Sequence, residues 1–361
     1  MESFPPVWAL GLMSGTSIDG IDVALIETDG EQVTAIGPAV TVPYAAELER
    51  AIRKSLGKRH TDPELERNIT DAHADAIQVI LTQSTEYKEK IRTGGLHGHT
   101  VIHLPGERLT LQIGDGNRLA EKTGFDVVYD FRAADVAAGG QGAPFAPLYH
   151  QALSRDLDGP LGVVNIGGIS NITWIDTSGG EPPVAFDTGP GNALLDDWVR
   201  STTDMPFDRD GALSAAGLTD GTTLQTLLDN PYFDAPPPKS LDRLDFDVGI
   251  VSRLSPADGA ATLVRFTCQT IVSNLAHLPS RPRRLLITGG GRHNPTIMKT
   301  LAEISGLPVD PVDAVGWDGD AMEAQAFAFL AVRSLRGLPL SLPTTTGVPE
   351  PMTGGKLAKA A

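Results

Sequence analysis

The 361 residues carry 45 Asp and Glu against 29 Lys and Arg, a formal charge of −16 that argues against a nucleic-acid or anionic-membrane partner. That length predicts two domains with a ligand cleft between them, and the single cysteine, Cys268, excludes a disulfide framework or cysteine-rich metal site and fits a reducing cytoplasm. No apolar stretch approaches the ~20 residues that cross a bilayer, and the first residues do not read as a secretory signal.

Residues 8–13 and 22–27 predict two strands around a turn of small, hydroxyl and acidic residues, Ser14-Gly15-Thr16-Ser17-Ile18-Asp19-Gly20-Ile21-Asp22. Gly15 and Gly20 would let the backbone approach a ligand, with N–H groups and the Ser14, Thr16 and Ser17 hydroxyls aimed at phosphate oxygens. Asp19 and Asp22 then make sense with a divalent cation between them and a nucleotide. A tight polar turn closing a hairpin is an equal reading of this stretch.

A third strand is expected over 33–42, and helices over 45–56 and from 61 or 62 to about 90. An extended segment at 95–105 carries His97, His99 and His103, whose spacing of two and four puts all three on one face. No acid or cysteine nearby completes a metal set, so structural roles are favoured. A strand at 109–113, a helix at 115–122 and a strand at 127–130 follow. The composition changes after residue 131, which places a first domain at 1–131 with the tail from about 340 to 361, and a second at 132–339.

The second half opens like the first: 161–176 reads as strand, glycine turn and strand, and a third strand follows at 184–187, a weak internal repeat. Helices are expected over 192–200, 257–277 and 321–336, the last with Asp320 and Glu323 spaced as a capping box. A buried strand at 285–288 delivers Gly289, Gly290 and Gly291 to a helix start, where bare backbone would suit a flat nucleoside or simply a positive-φ loop. Neither a P-loop nor a dinucleotide glycine fingerprint occurs. Asp187 ends its strand before Thr-Gly-Pro-Gly, as a general base facing a crevice would, or as a turn or cap residue. Arg132 would bind a substrate anion or pair with an acid.

In order, Met13 to Asp22, His97-Gly98 with Thr100 and His103, Leu111 to Asp115, Asp130-Phe-Arg132, Ala137 to Pro144, Asn165 to Asn171, Phe186 to Asn192, Pro237-Pro-Lys-Ser240, Gly289 to Gly291 with His293-Asn-Pro295, and Glu323 to Phe327 resemble the anhydro-N-acetylmuramic acid kinases of the sugar kinase, Hsp70 and actin superfamily. The resemblance implies an α/β fold of two related actin-like, ribonuclease H-like domains with mixed sheets, helical flanks and an interdomain active-site cleft. It implies a cytoplasmic enzyme, with a homodimer as a further expectation, that uses ATP and Mg2+ to open the 1,6-anhydro ring of a small amino sugar and phosphorylate O6 in cell-wall recycling. Asp187 would be the catalytic base, and Gly15, Thr16, Ser17, Ile18, Asp19, Gly20, Ile21 and Asp22 would hold the ATP phosphates, Mg2+ through Asp19 or Asp22. Gly167, Gly168, Asn171, Gly289, Gly290 and Gly291 would complete the ATP site, with His97, Arg132 and Glu323 toward the sugar. The sequence departs from the family pattern at His99, where glutamine is usual, and at residues 241, 242 and 244 of Lys239-Ser-Leu-Asp-Arg-Leu244. A kinase of an ordinary sugar hydroxyl and a non-enzymatic, ATP-gated actin-like protein are the alternatives.

Overall fold

The computed structural model describes residues 4–15, 18–241 and 246–360, so the expectations for Thr16 and Ser17 lie outside the described residues. Two compact units form, Met1–Leu153 with Asp320–Ala361, and Ser154–Gly319. The first holds β1 (Val7–Ser14), β2 (Gly20–Thr28), β3 (Val33–Pro43), α1 (Ala46–Ser55), α2 (Pro63–Gln83), β4 (Ile91–Leu104), β5 (Leu109–Ile113), α3 (Gly116–Thr123), β6 (Asp126–Tyr129), α4 (Ala133–Ala137) and α5 (Pro147–Leu153). The second holds β7 (Leu161–Ile166), β8 (Ile169–Ile175), β9 (Val184–Pro190), α6 (Ala193–Thr202), α7 (Ala212–Ala215), α8 (Gly221–Leu228), α9 (Pro256–Asn274), β10 (Arg284–Thr288), α10 (Pro295–Ser305) and β11 (Val309–Pro311). The chain then returns to the first unit as α11 (Met322–Leu335) and β12 (Lys356–Ala358).

The first sheet runs β12-β6-β4-β1-β2-β3, with β5 on β4; the second runs β11-β10-β7-β8-β9. In each, three strands meander antiparallel, and the first of them also pairs in parallel with a strand from later in the chain, β4 in one sheet and β10 in the other. The weak repeat in the sequence is thus a repeat of sheet topology. Parallel central strands need cover on both faces, and β1 is accordingly buried from Ala9 to Ser14.

Local chemistry sets most element ends. Asp62 accepts from Glu64 N at the start of α2, Asp115 accepts from Asn117 N and Arg118 N at the start of α3, and Gly124 at φ 77° closes α3. Helix α2 stops at Gln83, short of the expected 90, because Ser84 leaves the helical region and Tyr87 packs edge-on against Trp8 at 4.6 Å.

The final helix sits in the first unit because two glycines make room for it. A Cβ at Gly11 would lie 1.8 Å from Ala324 O, and one at Gly95 2.1 Å from Phe327 O, so α11 rests on bare backbone of β1 and β4. Residues 132–153 and 320–339 therefore group with strands that the reading from sequence assigned to another domain. The N-cap of α11 is Ala321, which makes no side-chain cap bond, in place of the expected Asp320. In the second unit, Trp174, Phe186, Phe233 and Phe266 form the centre of a core under α6 and α9. Among the described residues, no helix is long and apolar enough to cross a membrane.

Candidate active site

The first turn is tighter and more inward than its composition implied. Ile18 adopts φ 59°, uncommon for a β-branched residue, and its N–H closes on Gly15 O at 3.1 Å while its side chain is buried. Gly20 serves strand packing, since a Cβ there would lie 2.7 Å from Val42 O. The Ser14 hydroxyl does not face solvent: it accepts from Tyr44 Oη at 2.8 Å and lies within hydrogen-bond distance of His99 Nδ1, at 3.0 Å. Burial pushes Tyr44 up to about 12, with a smaller push from Asp19 and Asp22, so both carboxylates act on this hydroxyl. Asp22 Oδ1 accepts from Thr41 Oγ1 at 2.6 Å, and Asp19 is exposed.

The three histidines do not share a face. Gly98 at φ 72° and an irregular register between Ser14 and His99 interrupt the alternation of β4. His97 stacks against Phe327 at 4.6 Å, His99 bonds Ser14, and His103 bonds Thr110 Oγ1 and Gln141 O. Among the described residues no group of three metal-ligating side chains gathers.

Buried His97 and half-buried Arg132 form a pair. The His97 Nδ1–H donates to Gly98 O at 2.8 Å, which leaves Nε2 to accept from Arg132 Nε at 2.9 Å. Arg132 also donates to Gly142 O, and its guanidinium lies over Phe145 at 5.5 Å. Burial pushes Arg132 down to about 10 against the opposing pull of Glu323 and then Asp135, and holds His97 well below its usual range. The histidine comes from β4 and the arginine from the start of α4, and the exposed carboxylate in the first turn of α11 acts electrostatically on the guanidinium.

In the second unit the glycine turns gather at the carboxyl ends of parallel neighbours β7 and β10, the place where α/β sheets offer backbone to ligands. Gly167 O accepts from Asn192 N at 2.6 Å and Gly168 O from Gly191 N at 2.9 Å, so this turn holds the start of α6. Gly289, at φ 73°, and Gly291 are required by packing: a Cβ on the first would lie 2.3 Å from Asn165 Oδ1, and on the second 2.4 Å from Ile166 Cγ2. Gly290 differs, being exposed with only Asn192 Nδ2 near at 3.3 Å. Of the three glycines, it alone leaves bare accessible backbone.

Asp187 lies on β9, the edge of the five-stranded sheet, opposite Asn171 and just before a register shift at Thr188 that re-aims the strand end. Its Oδ2 accepts from Leu241 N at 2.9 Å, yet burial outweighs that bond and pushes the carboxyl from 3.8 up to about 7. A carboxylate poised near neutrality is suited to taking a proton. The segment before Leu241 also grips the backbone of Asp187: Tyr232 Oη donates to Asp187 O at 2.7 Å, and Asp187 N donates to Lys239 O at 3.1 Å. Tyr44, Asn192, Tyr232 and Lys239 were not named as site residues from the sequence. The signals were the Phe186 to Asn192 motif, which ends on Asn192, and the Pro237-Pro-Lys-Ser240 motif, which holds Lys239 and precedes Leu241.

Two mixed sheets of one topology, each flanked by helices, define an actin-like α/β fold. Component A of (R)-2-hydroxyglutaryl-CoA dehydratase from Acidaminococcus fermentans matches it with a TM-score of 0.52 at 12% identity, over 91% of this chain and 99% of that one. Within that class the sequence is specific: the profile of the anhydro-N-acetylmuramic acid kinase family matches residues 7–360. Relatives bearing that name in Acidiphilium cryptum and Rhodospirillum rubrum are 53% and 52% identical, covering 97% and 100% of this chain and 98% and 96% of their own lengths. The chain belongs to the anhydro-N-acetylmuramic acid kinase family. A kinase family implies ATP as the phosphoryl donor.

Proposed function

We propose that the protein opens the 1,6-anhydro ring of 1,6-anhydro-N-acetylmuramic acid with water and phosphorylates O6 from ATP, giving N-acetylmuramate 6-phosphate and ADP. The observation that carries this reading is Asp187, a carboxyl pushed to about 7 by its surroundings at the end of β9. The sugar has no free 6-hydroxyl, so O6 must be released from C1. Asp187 takes a proton from water as its oxygen bonds to C1. The C1–O6 bond breaks, O6 bonds to the γ-phosphorus, and ADP leaves with the electrons of the broken P–O bond.

His97, Arg132 and Glu323 are suited to hold the sugar, with the guanidinium facing the lactyl carboxylate. Gly15, Gly290 and the turn around Gly167, Gly168 and Asn171 are suited to ATP. Asp19 and Asp22 are hard oxygen donors beside one hydroxyl, a set that fits Mg2+, which would neutralise phosphate charge. The buried thiol of Cys268, pushed up to about 12, suits a cytoplasmic enzyme that neither needs nor forms a disulfide.

Turnover in oxygen-18 water tests this. The early product, reduced at once to stop anomeric exchange, is expected to carry label at C1 and none between C6 and phosphorus. Unlabelled C1, as for an ordinary hydroxyl kinase, overturns the role given to Asp187.

A further inference from the structure

The 232–241 segment lies along the open edge of β9, and one side chain ties it into a loop. Lys239 is 9% exposed, and its Nζ donates to Tyr232 O at 3.0 Å and Phe233 O at 3.4 Å. The same ammonium lies over the Tyr232 ring at 4.7 Å and the Phe186 ring at 5.8 Å. Phe233 is anchored in the core against Phe266 at 5.7 Å. The loop is therefore fixed at Phe233 and closed on itself by Lys239. Three of its hydrogen bonds fall on one residue, with Tyr232 Oη on Asp187 O, Lys239 O on Asp187 N, and Leu241 N on Asp187 Oδ2.

A buried ammonium bound by carbonyls is costly to desolvate, and an apolar side chain would fill the same space without that cost. What the ammonium adds is direction: it sets the turn that carries the Leu241 N–H to the carboxylate. We propose that Lys239 is a positioning residue for Asp187, acting through the loop it closes and not by touching substrate. This rests on the reading of Asp187 as the base.

The direction of the effect follows from the bond. A donor to the carboxylate favours the charged form, so a loosened Leu241 N–H bond moves Asp187 further up from about 7. A charge-assisted bond of this kind corresponds to about one pH unit. The test is kcat and both KM values of Lys239→Met from pH 5.5 to 9, beside wild type, Lys239→Arg and Asp187→Asn. The acidic limb of kcat is expected to move up by about one unit, which is roughly a fivefold loss at pH 7 and near-full recovery at pH 9, with KM for ATP unchanged. Lys239→Arg, which keeps the donors and the charge, should return the limb toward wild type.

An acidic limb unmoved in Lys239→Met overturns the proposal, whatever the height of kcat, because lost folding scales the profile without shifting it. If Lys239→Met does not fold, Lys239→Gln is read in the same way. Wild-type turnover in Asp187→Asn would instead remove the base on which the proposal stands, so the two failures are distinguishable.

Discussion

Replacing Asp187 by Asn separates a catalytic carboxylate from a structural one, because the two roles predict opposite changes in stability. The carboxyl rises from 3.8 to about 7 on folding, chiefly through burial. Between those values the unfolded chain has lost the proton and the folded chain keeps it, so stability falls as pH rises and the whole cost is present above pH 7. Three units at 1.36 kcal/mol each make that cost about 4 kcal/mol. Asn has the same shape, carries no charge and still accepts from Leu241 N, through a weaker neutral bond that offsets about 1 kcal/mol of the gain. Thermal and denaturant unfolding should therefore show Asp187→Asn more stable than wild type by a few kcal/mol at pH 8 and nearly equal to it at pH 4. Turnover should fall ~100-fold or more with nucleotide affinity retained. A turn-forming Asp187 would give the reverse, and a variant that is less stable at pH 8 yet normally active per folded molecule would refute the reasoning.

Gly11→Ala should lower the unfolding free energy by 3 kcal/mol or more, on the order expected when a methyl is forced onto main chain, because its Cβ would fall 1.8 Å from Ala324 O. Normal stability in a denaturant titration would mean that α11 does not seat on β1. His73, His99 and His150 are each held down to about 4 by burial, so stability is complete above pH 6.5 and declines as pH falls toward 4, by up to about 3 kcal/mol for each group. His99→Gln keeps a hydrogen-bonding group beside the Ser14 hydroxyl and should match wild type at pH 8 while surpassing it at pH 4.5; equal acid sensitivity would show that His99 does not titrate with unfolding. Arg132→Lys loses the Nε–H that His97 accepts and should raise KM for the sugar ~10-fold or more without changing KM for ATP. A rise confined to ATP would move Arg132 to the nucleotide side.

Where a residue's role is set by its chain neighbours, the sequence showed it. Alternating apolar residues and the glycine at position 124 marked β1, β2 and α3 to within two residues, and Asp62 and Asp115 serve as the caps of α2 and α3. Helix α8 escaped notice because Gly221-Thr-Thr-Leu-Gln-Thr has poor intrinsic helix propensity, and its start depends on Asp220 accepting from Thr223 N. Gly98 shows a different limit. Its positive φ turns His97 and His99 toward different partners, which a strict two-residue period cannot anticipate.

The site divides along the same line. His97, Arg132 and Glu323 were singled out together by the family resemblance, yet bringing α11 close to β4 depends on Gly95 having no side chain. Asp187 was visible as an acid at a strand end, but what tunes it comes from Tyr232, Lys239 and Leu241, some 45 to 54 residues further on. An edge strand has one row of backbone groups with no strand to bond, and a loop that covers it must supply donors and acceptors in register. Placing Asp187 on β9 therefore lets a single loop both finish the sheet and tune the carboxylate. In an interior strand, the Asp187 N–H and C=O would be committed to a neighbouring strand, and no separate segment could reach them. That is the physical reason to look for the tuning of this carboxyl in the 232–241 segment and to expect substitutions there to change its pH dependence before they change nucleotide binding.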